Sequence, residues 1–245
     1  MNNILGNLSP VVKNILIINI ICFIGTLVFP SADRILGVYY PDSPFFKIWQ
    51  PITYMFMHGN YTNTGNISIT HIFFNMFALV MFGPVIEQMF GSKRFLQYYI
   101  ITALGALVLQ YGVQAIEVYR IVGSPFAADF INLDMTANRI SSSLPLNSSQ
   151  LQTLGSIYAT PMVGASGAIF GLLLAFAYFY PNMPLYFMFI PVPIKAKYFV
   201  GAYILIEIYL GFSNSGGSVA HLAHVGGALF GYLMIKMWGY KKGYY

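Results

Sequence analysis

Six long apolar segments constrain the fold of this chain more than any other feature of its sequence. They cover residues 12–29, 71–90, 95–119, 166–180, 198–212 and 220–238. A helix of about 20 apolar residues crosses the roughly 30 Å hydrocarbon core of a bilayer and satisfies its own backbone hydrogen bonds there. The fourth and fifth segments are shorter than this length. We therefore predict an all-α membrane protein, with six transmembrane helices bundled into a single domain over residues 1–245.

The composition excludes a soluble globular protein and a nucleic-acid-binding protein. Only 8% of the residues are charged and 57% are hydrophobic, whereas a soluble domain carries about 25% charged residues. The net charge of +5 is spread too thinly to form a basic patch, so we expect no nucleic-acid partner. Cys22 is the single cysteine, which excludes an internal disulfide. The expected surroundings of the chain are a lipid bilayer.

The basic residues predict how the chain lies in that bilayer. Six spans place both termini on the same side as the loops after spans two and four. That side holds Lys13, Lys93, Arg94, Lys195, Lys197, Lys236, Lys241 and Lys242. The positive-inside rule then makes both termini cytoplasmic, and the long connections 30–70 and 120–165 face outward. We expect a multi-pass protein of a bacterial inner (plasma) membrane, without a cleaved signal peptide.

The two long connections differ in composition. The first mixes aromatic residues with Pro41, Pro44 and Pro51, which predicts a loop lying in the membrane interface, where Trp and Tyr are favoured. The second is rich in Ser, Asn and Thr between residues 140 and 153, which predicts a surface excursion.

Polar side chains recur at the N-terminal ends of spans two, four and six. Span two carries His71 and Asn75, span four begins at Ser166, and span six carries His221 and His224. Because these three spans run in the same direction, all five side chains lie in the outer half of the bilayer. Polar groups at such depth are costly and mark functional sites. A hydroxyl, an imidazole and further N–H donors are the groups needed for acyl transfer to water.

Glycines beside these polar residues predict close contact between two of the spans. Gly167 and Gly171 form a small-xxx-small face in span four, and Gly227 and Gly231 form another in span six. Such faces let helices approach through their backbones. Packing the two faces together would bring Ser166 within reach of an imidazole in span six.

In combination, these motifs resemble those of the rhomboid intramembrane serine proteases. The matching elements are His71 with Asn75, Glu87 with Gly91-Ser92, Gly164-Ala165-Ser166-Gly167, and Ala223-His224 followed by Gly227 and Gly231. The resemblance implies a catalytic dyad in which Ser166 is the nucleophile and His224 is the general base and later the acid. It also implies an oxyanion hole from His71, Asn75 and the Ser166 backbone N–H. The residues that would support this site are Gly164, Gly167, Phe170, Gly227 and Gly231, with Phe170 packed on the imidazole.

The resemblance further implies the substrates of such an enzyme. They would be single-span membrane proteins, entering between spans two and five and cleaved in or near their transmembrane segments. The resemblance implies no cofactor and no metal. It does not specify an oligomeric state.

Three other functions are compatible with parts of the sequence. A non-catalytic rhomboid-like protein would bind membrane proteins or act in their quality control. A metal enzyme would use His221, His224 and His71, although no HExxH motif and no set of carboxylate ligands accompany them in the sequence. A transporter or channel would be expected to show paired halves, which this chain lacks.

Three ionisable residues outside the proposed dyad and oxyanion hole require an interpretation. Glu207 falls in the outer half of span five, and an ionisable group there must be paired, protonated or facing a cavity. We interpret it as a carboxylic acid bonded to backbone or hydroxyl groups, tuning the movement of span five, in preference to a direct catalytic role. We interpret His58 as a structural residue of the first loop, and His221 as a solvated or packing residue.

Overall fold

The fold is a bundle of helices with two small hairpins. The computed structural model describes residues 8–59, 68–134, 139–186, 192–213 and 218–242, with no description of the side chains of 218–220. The helices are α1 Pro10–Val28, α2 Ala32–Leu36, α3 Gln50–Thr53, α4 Thr70–Phe90, α5 Ser92–Val122, α6 Ser148–Ala159, α7 Ser166–Phe179, α8 Ala196–Phe212 and α9 Ser218–Met237. Short 3₁₀ turns lie at Tyr54–Phe56 and Ala128–Phe130. The antiparallel hairpins pair β1 Ile131–Asp134 with β2 Arg139–Ser142, and β3 Pro184–Tyr186 with β4 Pro193–Lys195.

A helix lies at each of the six predicted spans. Among the described residues, α1, α4 and α5 are long and apolar enough to cross a membrane. These three helices make the chain a multi-pass membrane protein. The apolar helix α7 has 14 residues and a length of about 21 Å. That α7, α8 and α9 also cross the bilayer stays a prediction.

Helix α5 is longer than its predicted span. It runs over 31 residues, from Ser92 to Val122, where the sequence predicted 95–119. It is bounded by Gly91 and Gly123, whose φ angles of 74° and 75° are conformations that glycine adopts at little cost. The apolar pattern alone missed these ends, because the first and last turns of α5 carry polar residues.

Helices α5, α7 and α9 form the centre of the bundle. Ten of the 14 residues of α7 are buried. Glycines on the facing helices make room for larger neighbours: a side chain at Gly105 of α5 would overlap Phe230 of α9. The outer helices α1 and α8 instead leave large apolar side chains exposed, such as Ile21 and Leu205. Such faces suit contact with lipid.

The carboxylate of Glu87 ties α4 to both α1 and α5. Its Oε2 accepts hydrogen bonds from the Ser9 hydroxyl at 2.5 Å and the Val12 N–H at 3.0 Å. Its Oε1 accepts from the Val11 N–H at 3.1 Å and the Ser92 hydroxyl at 2.6 Å. One buried side chain therefore caps the first turn of α1, where backbone N–H groups otherwise lack partners.

We predicted a surface excursion, that is, an irregular surface loop, for the connection 120–165, and it contains more regular structure than that. It holds the β1–β2 hairpin and helix α6, which begins with a capping box formed by Asn147 and Gln150. The buried residues Leu154, Ile157 and Tyr158 lie at helical spacing on one face of α6. The Ser and Thr residues that dominate its composition lie on the other faces, which obscured the pattern.

The two long connections are joined by Asp42. Its Oδ2 accepts hydrogen bonds from the N–H groups of Ala127 and Ala128 at 2.8 and 2.9 Å, and from the Tyr158 hydroxyl at 2.6 Å. Much of the first connection is packed against the helices, including the buried residues Tyr39, Tyr54, Met55 and Met57, whereas Trp49 is partly exposed. Residues 60–67 lie outside the described residues, and the interfacial position of this loop stays a prediction.

The Glu87 network generates a prediction for stability. The Glu87→Ala substitution leaves two hydroxyls and two backbone N–H groups without their acceptor, and we expect it to lower the free energy of unfolding by about 2–4 kcal/mol. Thermal unfolding in detergent measures the loss. The neighbouring Gln88 is exposed, so Gln88→Ala is the matched control. Equal unfolding temperatures for the two variants would contradict the assigned role of Glu87.

Candidate active site

Ser166 and His224 meet where α7 begins. Ser166 is the first residue of α7, and its Oγ lies 2.8 Å from Nε2 of His224 in α9. The His224 side chain is 18% exposed, so the pair is accessible from outside the bundle. The two residues that the sequence proposed as nucleophile and base are thus in direct hydrogen-bond contact.

The segment before α7 fixes the position of Ser166. Met162 pairs with Val38 of the first connection through two backbone hydrogen bonds of 2.8 and 2.9 Å. The Gly164 N–H donates to the carbonyl of Tyr54 at 3.0 Å. Gly164 has a φ of 138°, which side-chain-bearing residues rarely adopt. These contacts fix the segment before α7 against the first connection, and the helix then starts at Ser166.

Glycines bring α7 and α9 close enough for this contact. A Cβ atom at Gly227 would overlap the backbone carbonyl of Gly167. A Cβ atom at Gly231 would lie 3.2 Å from the Cα of Gly171. The two small-residue faces of the sequence therefore face each other, and the helices touch through their backbones.

An aromatic ring supports the imidazole of His224. The ring of Phe170, one turn after Ser166, stacks on it with centroids 4.5 Å apart and an interplanar angle of 5°. The ring of Tyr203 in α8 packs on Phe170 at 4.7 Å. The plane of the His224 ring is therefore held by the same helix that carries Ser166.

The structure corrects our interpretation of Glu207 and His221. Glu207 Oε2 lies 2.7 Å from Nδ1 of His224 and 2.8 Å from Nδ1 of His221. Its partners among the described residues are two imidazoles, where we expected backbone or hydroxyl groups. With Nδ1–H of His224 donating to the carboxylate, its Nε2 carries the lone pair that accepts the Ser166 hydroxyl. His221 is likewise a hydrogen-bond donor to Glu207 and more than a packing residue.

The sequence contained a signal for the contact of Glu207 with His221 and His224. Glu207 is an isolated carboxylate near the end of one apolar segment, and His221 and His224 lie three residues apart near the start of the next. Helices joined by a short loop run antiparallel, which places these ends side by side. The rotation of α8 against α9, which decides whether the groups face each other, is not readable from either segment alone.

His71 and Ser166 border the same small space, whereas the Asn75 side chain is bonded to the backbone of its own helix. A Cβ atom at Gly164 would lie 3.2 Å from Nε2 of His71 and 3.5 Å from the Ser166 Oγ, so both groups border one small space. Asn75 is buried and its Nδ2 donates to the His71 carbonyl at 3.0 Å. One of its two amide N–H groups is therefore used inside α4, which leaves at most the second for a bound ligand.

His58 packs beside this space and stays uncharged. Its ring is fully buried and meets the ring of His71 edge-on, with centroids 5.1 Å apart. Burial, reinforced by the neighbouring His71, lowers the pKa of His58 to about 3. A packing role for His58 fits this environment.

Glu207, His221 and His224 also have the chemistry of a metal site. Their ligand atoms lie within 4.8 Å of one another, and imidazole and carboxylate are common zinc ligands. We expected no set of carboxylate ligands beside the histidines, and the structure places one carboxylate there. However, both Nδ1 atoms already bond the same carboxylate oxygen. A bound ion would have to replace these two hydrogen bonds.

The glycine contact between α7 and α9 generates a prediction. We expect Gly227→Ala to lower the free energy of unfolding by about 1–3 kcal/mol or more, because the added methyl group overlaps the Gly167 carbonyl. Gly112→Ala in α5 is the matched control, since a Cβ atom there meets nothing within 4 Å. Thermal unfolding of both variants in detergent makes the comparison. A Gly227→Ala variant as stable as the control would show that α7 and α9 do not touch here.

Comparison with known proteins identifies the family. The Rhomboid domain model matches residues 46–241. The chain is 26% identical over 216 residues to RHOMBOID-like protein 12, mitochondrial, of Arabidopsis thaliana, covering 81% of this chain and 56% of that protein. It is 27% identical over 203 residues to Rhomboid protein 1, mitochondrial, of Saccharomyces cerevisiae, covering 76% of this chain and 46% of that protein.

The chain spans about half the length of these two relatives. Their names place them in mitochondria, so the bacterial inner membrane that we expected stays a prediction. The family match runs from the first connection through α9 and includes Ser166, Glu207 and His224. This chain therefore belongs to the rhomboid family.

Proposed function

We propose that this chain is an intramembrane serine endopeptidase, which hydrolyses peptide bonds in or near transmembrane segments of membrane proteins. The observation that carries the proposal is the 2.8 Å hydrogen bond between Ser166 Oγ and His224 Nε2. The rhomboid family includes serine proteases, which supports the same activity. A serine at a helix start, paired with a correctly oriented imidazole, has the parts of an activated nucleophile.

The proposed reaction uses His224 twice. Ser166 Oγ attacks the scissile carbonyl carbon while His224 Nε2 takes the hydroxyl proton. When the tetrahedral intermediate collapses, the C–N bond breaks and His224 returns that proton to the leaving amine. Water then attacks the resulting ester while His224 takes a proton from that water. The bond between the acyl carbon and Ser166 Oγ breaks, His224 returns the proton to Oγ, and the carboxylic acid product leaves.

The negative oxygen of the intermediate requires hydrogen-bond donors. The first turn of α7 supplies backbone N–H groups and the positive end of the helix dipole, and its N-cap residue Ala165 offers no side chain that competes for them. His71 borders the same space, and Asn75 has one remaining amide N–H. We assign these groups to the oxyanion hole, where loss of one donor costs about 10²–10³ in kcat.

The surroundings of the site fit a membrane-embedded substrate. Helix α4 exposes Phe73, Phe74 and Phe77, and α8 exposes Leu205 and Ile206. Both helices thus expose apolar side chains close in sequence to polar residues of the candidate site. We propose that single-span membrane proteins approach between α4 and α8, and that both termini of the chain are cytoplasmic, so that cleavage occurs near the outer face.

Substitution of the dyad tests the proposal. We expect Ser166→Ala and His224→Ala each to lower cleavage by about 10³-fold or more, because either change removes the nucleophile or its base. The measurement is co-expression with a panel of single-span reporter proteins, followed by detection of the cleaved fragments. Ser156→Ala, at an exposed serine of α6, is the matched control.

Two outcomes would point to other functions. A folded native chain that binds the reporters without cleaving any of them would favour a non-catalytic rhomboid-like protein. Cleavage that is lost to a chelator and restored by zinc would favour a metal enzyme built on His221 and His224. The serine mechanism requires cleavage to continue in the presence of the chelator.

The mechanism also predicts a dependence on pH. General-base catalysis requires a neutral imidazole with a free lone pair, so we expect activity to fall as the pH is lowered from neutrality. His58 does not contribute to this loss, because burial lowers its pKa to about 3. The measurement is the rate of reporter cleavage by the purified chain. A flat profile would contradict general-base catalysis by an imidazole.

A further inference from the structure

Glu207 extends the contact between Ser166 and His224 into a chain of three side chains from three helices. Ser166 is in α7, His224 in α9 and Glu207 in α8. The links are 2.8 Å from Ser166 Oγ to His224 Nε2 and 2.7 Å from His224 Nδ1 to Glu207 Oε2. This is the order of groups in a serine–histidine–acid arrangement, in which the acid orients the imidazole and stabilises its protonated form.

The position of Glu207 is costly for a residue that only packs. The buried residues of α8 are Ala196, Val200, Glu207 and Gly211, so Glu207 is the one ionisable residue among the buried positions of this helix. Glu207 itself is 4% exposed. An ionisable group in an apolar helix requires compensating partners, and residues of this kind mark function. Among the described residues, its two hydrogen bonds are both made to imidazoles.

We propose that Glu207 is a positioning residue for the proposed serine protease reaction, holding His224 in the tautomer that deprotonates Ser166. The inference rests on the proposed function. The carboxylate accepts the Nδ1 proton of His224, so that the Nε2 lone pair faces the Ser166 hydroxyl. As Nε2 takes the hydroxyl proton, the carboxylate stabilises the positive charge of the imidazolium, and Glu207 itself exchanges no proton.

His221 has a secondary place in this arrangement. It donates to the same carboxylate oxygen at 2.8 Å, from the turn of α9 that precedes His224. Its side chain is 26% exposed, and no contact joins it to Ser166 among the described residues. His221 therefore helps to hold Glu207, whereas Glu207 acts on His224 directly.

The arrangement also makes the site depend on α8. Ser166 and His224 belong to the adjacent helices α7 and α9, which are packed together through glycines. The carboxylate belongs to α8, which also exposes large apolar side chains on its opposite face. Displacement of α8 from α9 would remove the carboxylate from His224 without separating His224 from Ser166. The acid is therefore in place only when α8 lies against α9.

Kinetics of Glu207 variants test the inference. The purified full chain is assayed in detergent with a single-span reporter that the native chain cleaves and Ser166→Ala does not. We expect Glu207→Gln to lower kcat at least about 100-fold with KM within about threefold, compared with about 10⁴-fold for the same change of acid to amide in serine protease triads. Glu207→Asp, which keeps the charge, should retain more activity than Glu207→Gln. Tyr209→Phe, at an exposed position of α8, is the matched control.

The comparison of variants separates a positioning role from other roles. His221→Gln should cost much less activity than Glu207→Gln, because it removes only the second partner of the carboxylate. Equal losses in the two variants, together with loss of native activity to a chelator, would overturn the inference in favour of a metal site. If Glu207→Gln does not fold, Glu207→Asp carries the test, because its carboxylate is one methylene shorter and withdrawn from His224 Nδ1. A partly lowered kcat at constant KM supports the role, and a native kcat overturns it.

The outcome also separates this inference from the proposed function. A Glu207→Gln variant with kcat within about threefold of native, beside an inactive Ser166→Ala variant, would overturn the role of Glu207 and leave the serine protease intact. A native chain whose cleavage does not depend on Ser166 would overturn both.

Discussion

The backbone contact between α7 and α9 is the constraint on which the candidate site depends. A serine side chain reaches only one methylene beyond its helix, so a hydrogen bond to an imidazole requires the two helices to lie very close. Gly167 and Gly227 allow this close approach of α7 and α9, since a Cβ atom at Gly227 would overlap the Gly167 carbonyl. The segment before α7 then places Ser166 at the helix start, where the first backbone N–H groups have no partner within the helix.

Three carboxylates of this structure are each bonded to several donors. Glu87 accepts four hydrogen bonds at one end of α4, Asp42 joins the two long connections, and Glu207 accepts from two imidazoles. In apolar surroundings an unpaired carboxylate would be expensive, so each is matched with donors from neighbouring elements. The first two clusters hold the fold together. The third one lies against the candidate nucleophile and its base.

Local sequence signals predicted the spans and the groups at their ends, because hydrophobic length and helix direction are properties of each segment. They did not predict helix α6, whose buried face of Leu154, Ile157 and Tyr158 is hidden in a polar composition. They also missed the bond between Glu207 and His224. That bond depends on how α8 is rotated against α9, which is set by packing such as Leu222 lying over Gly211.

Mapping the site of reaction with a fluorophosphonate probe tests the central claim most directly. Such a probe modifies a serine hydroxyl only where that hydroxyl is activated as a nucleophile. Peptide mapping of the labelled chain by mass spectrometry should find the phosphonyl group on Ser166, and labelling should disappear in the His224→Ala variant. A folded chain that is not labelled, or is labelled at another residue, would contradict the account.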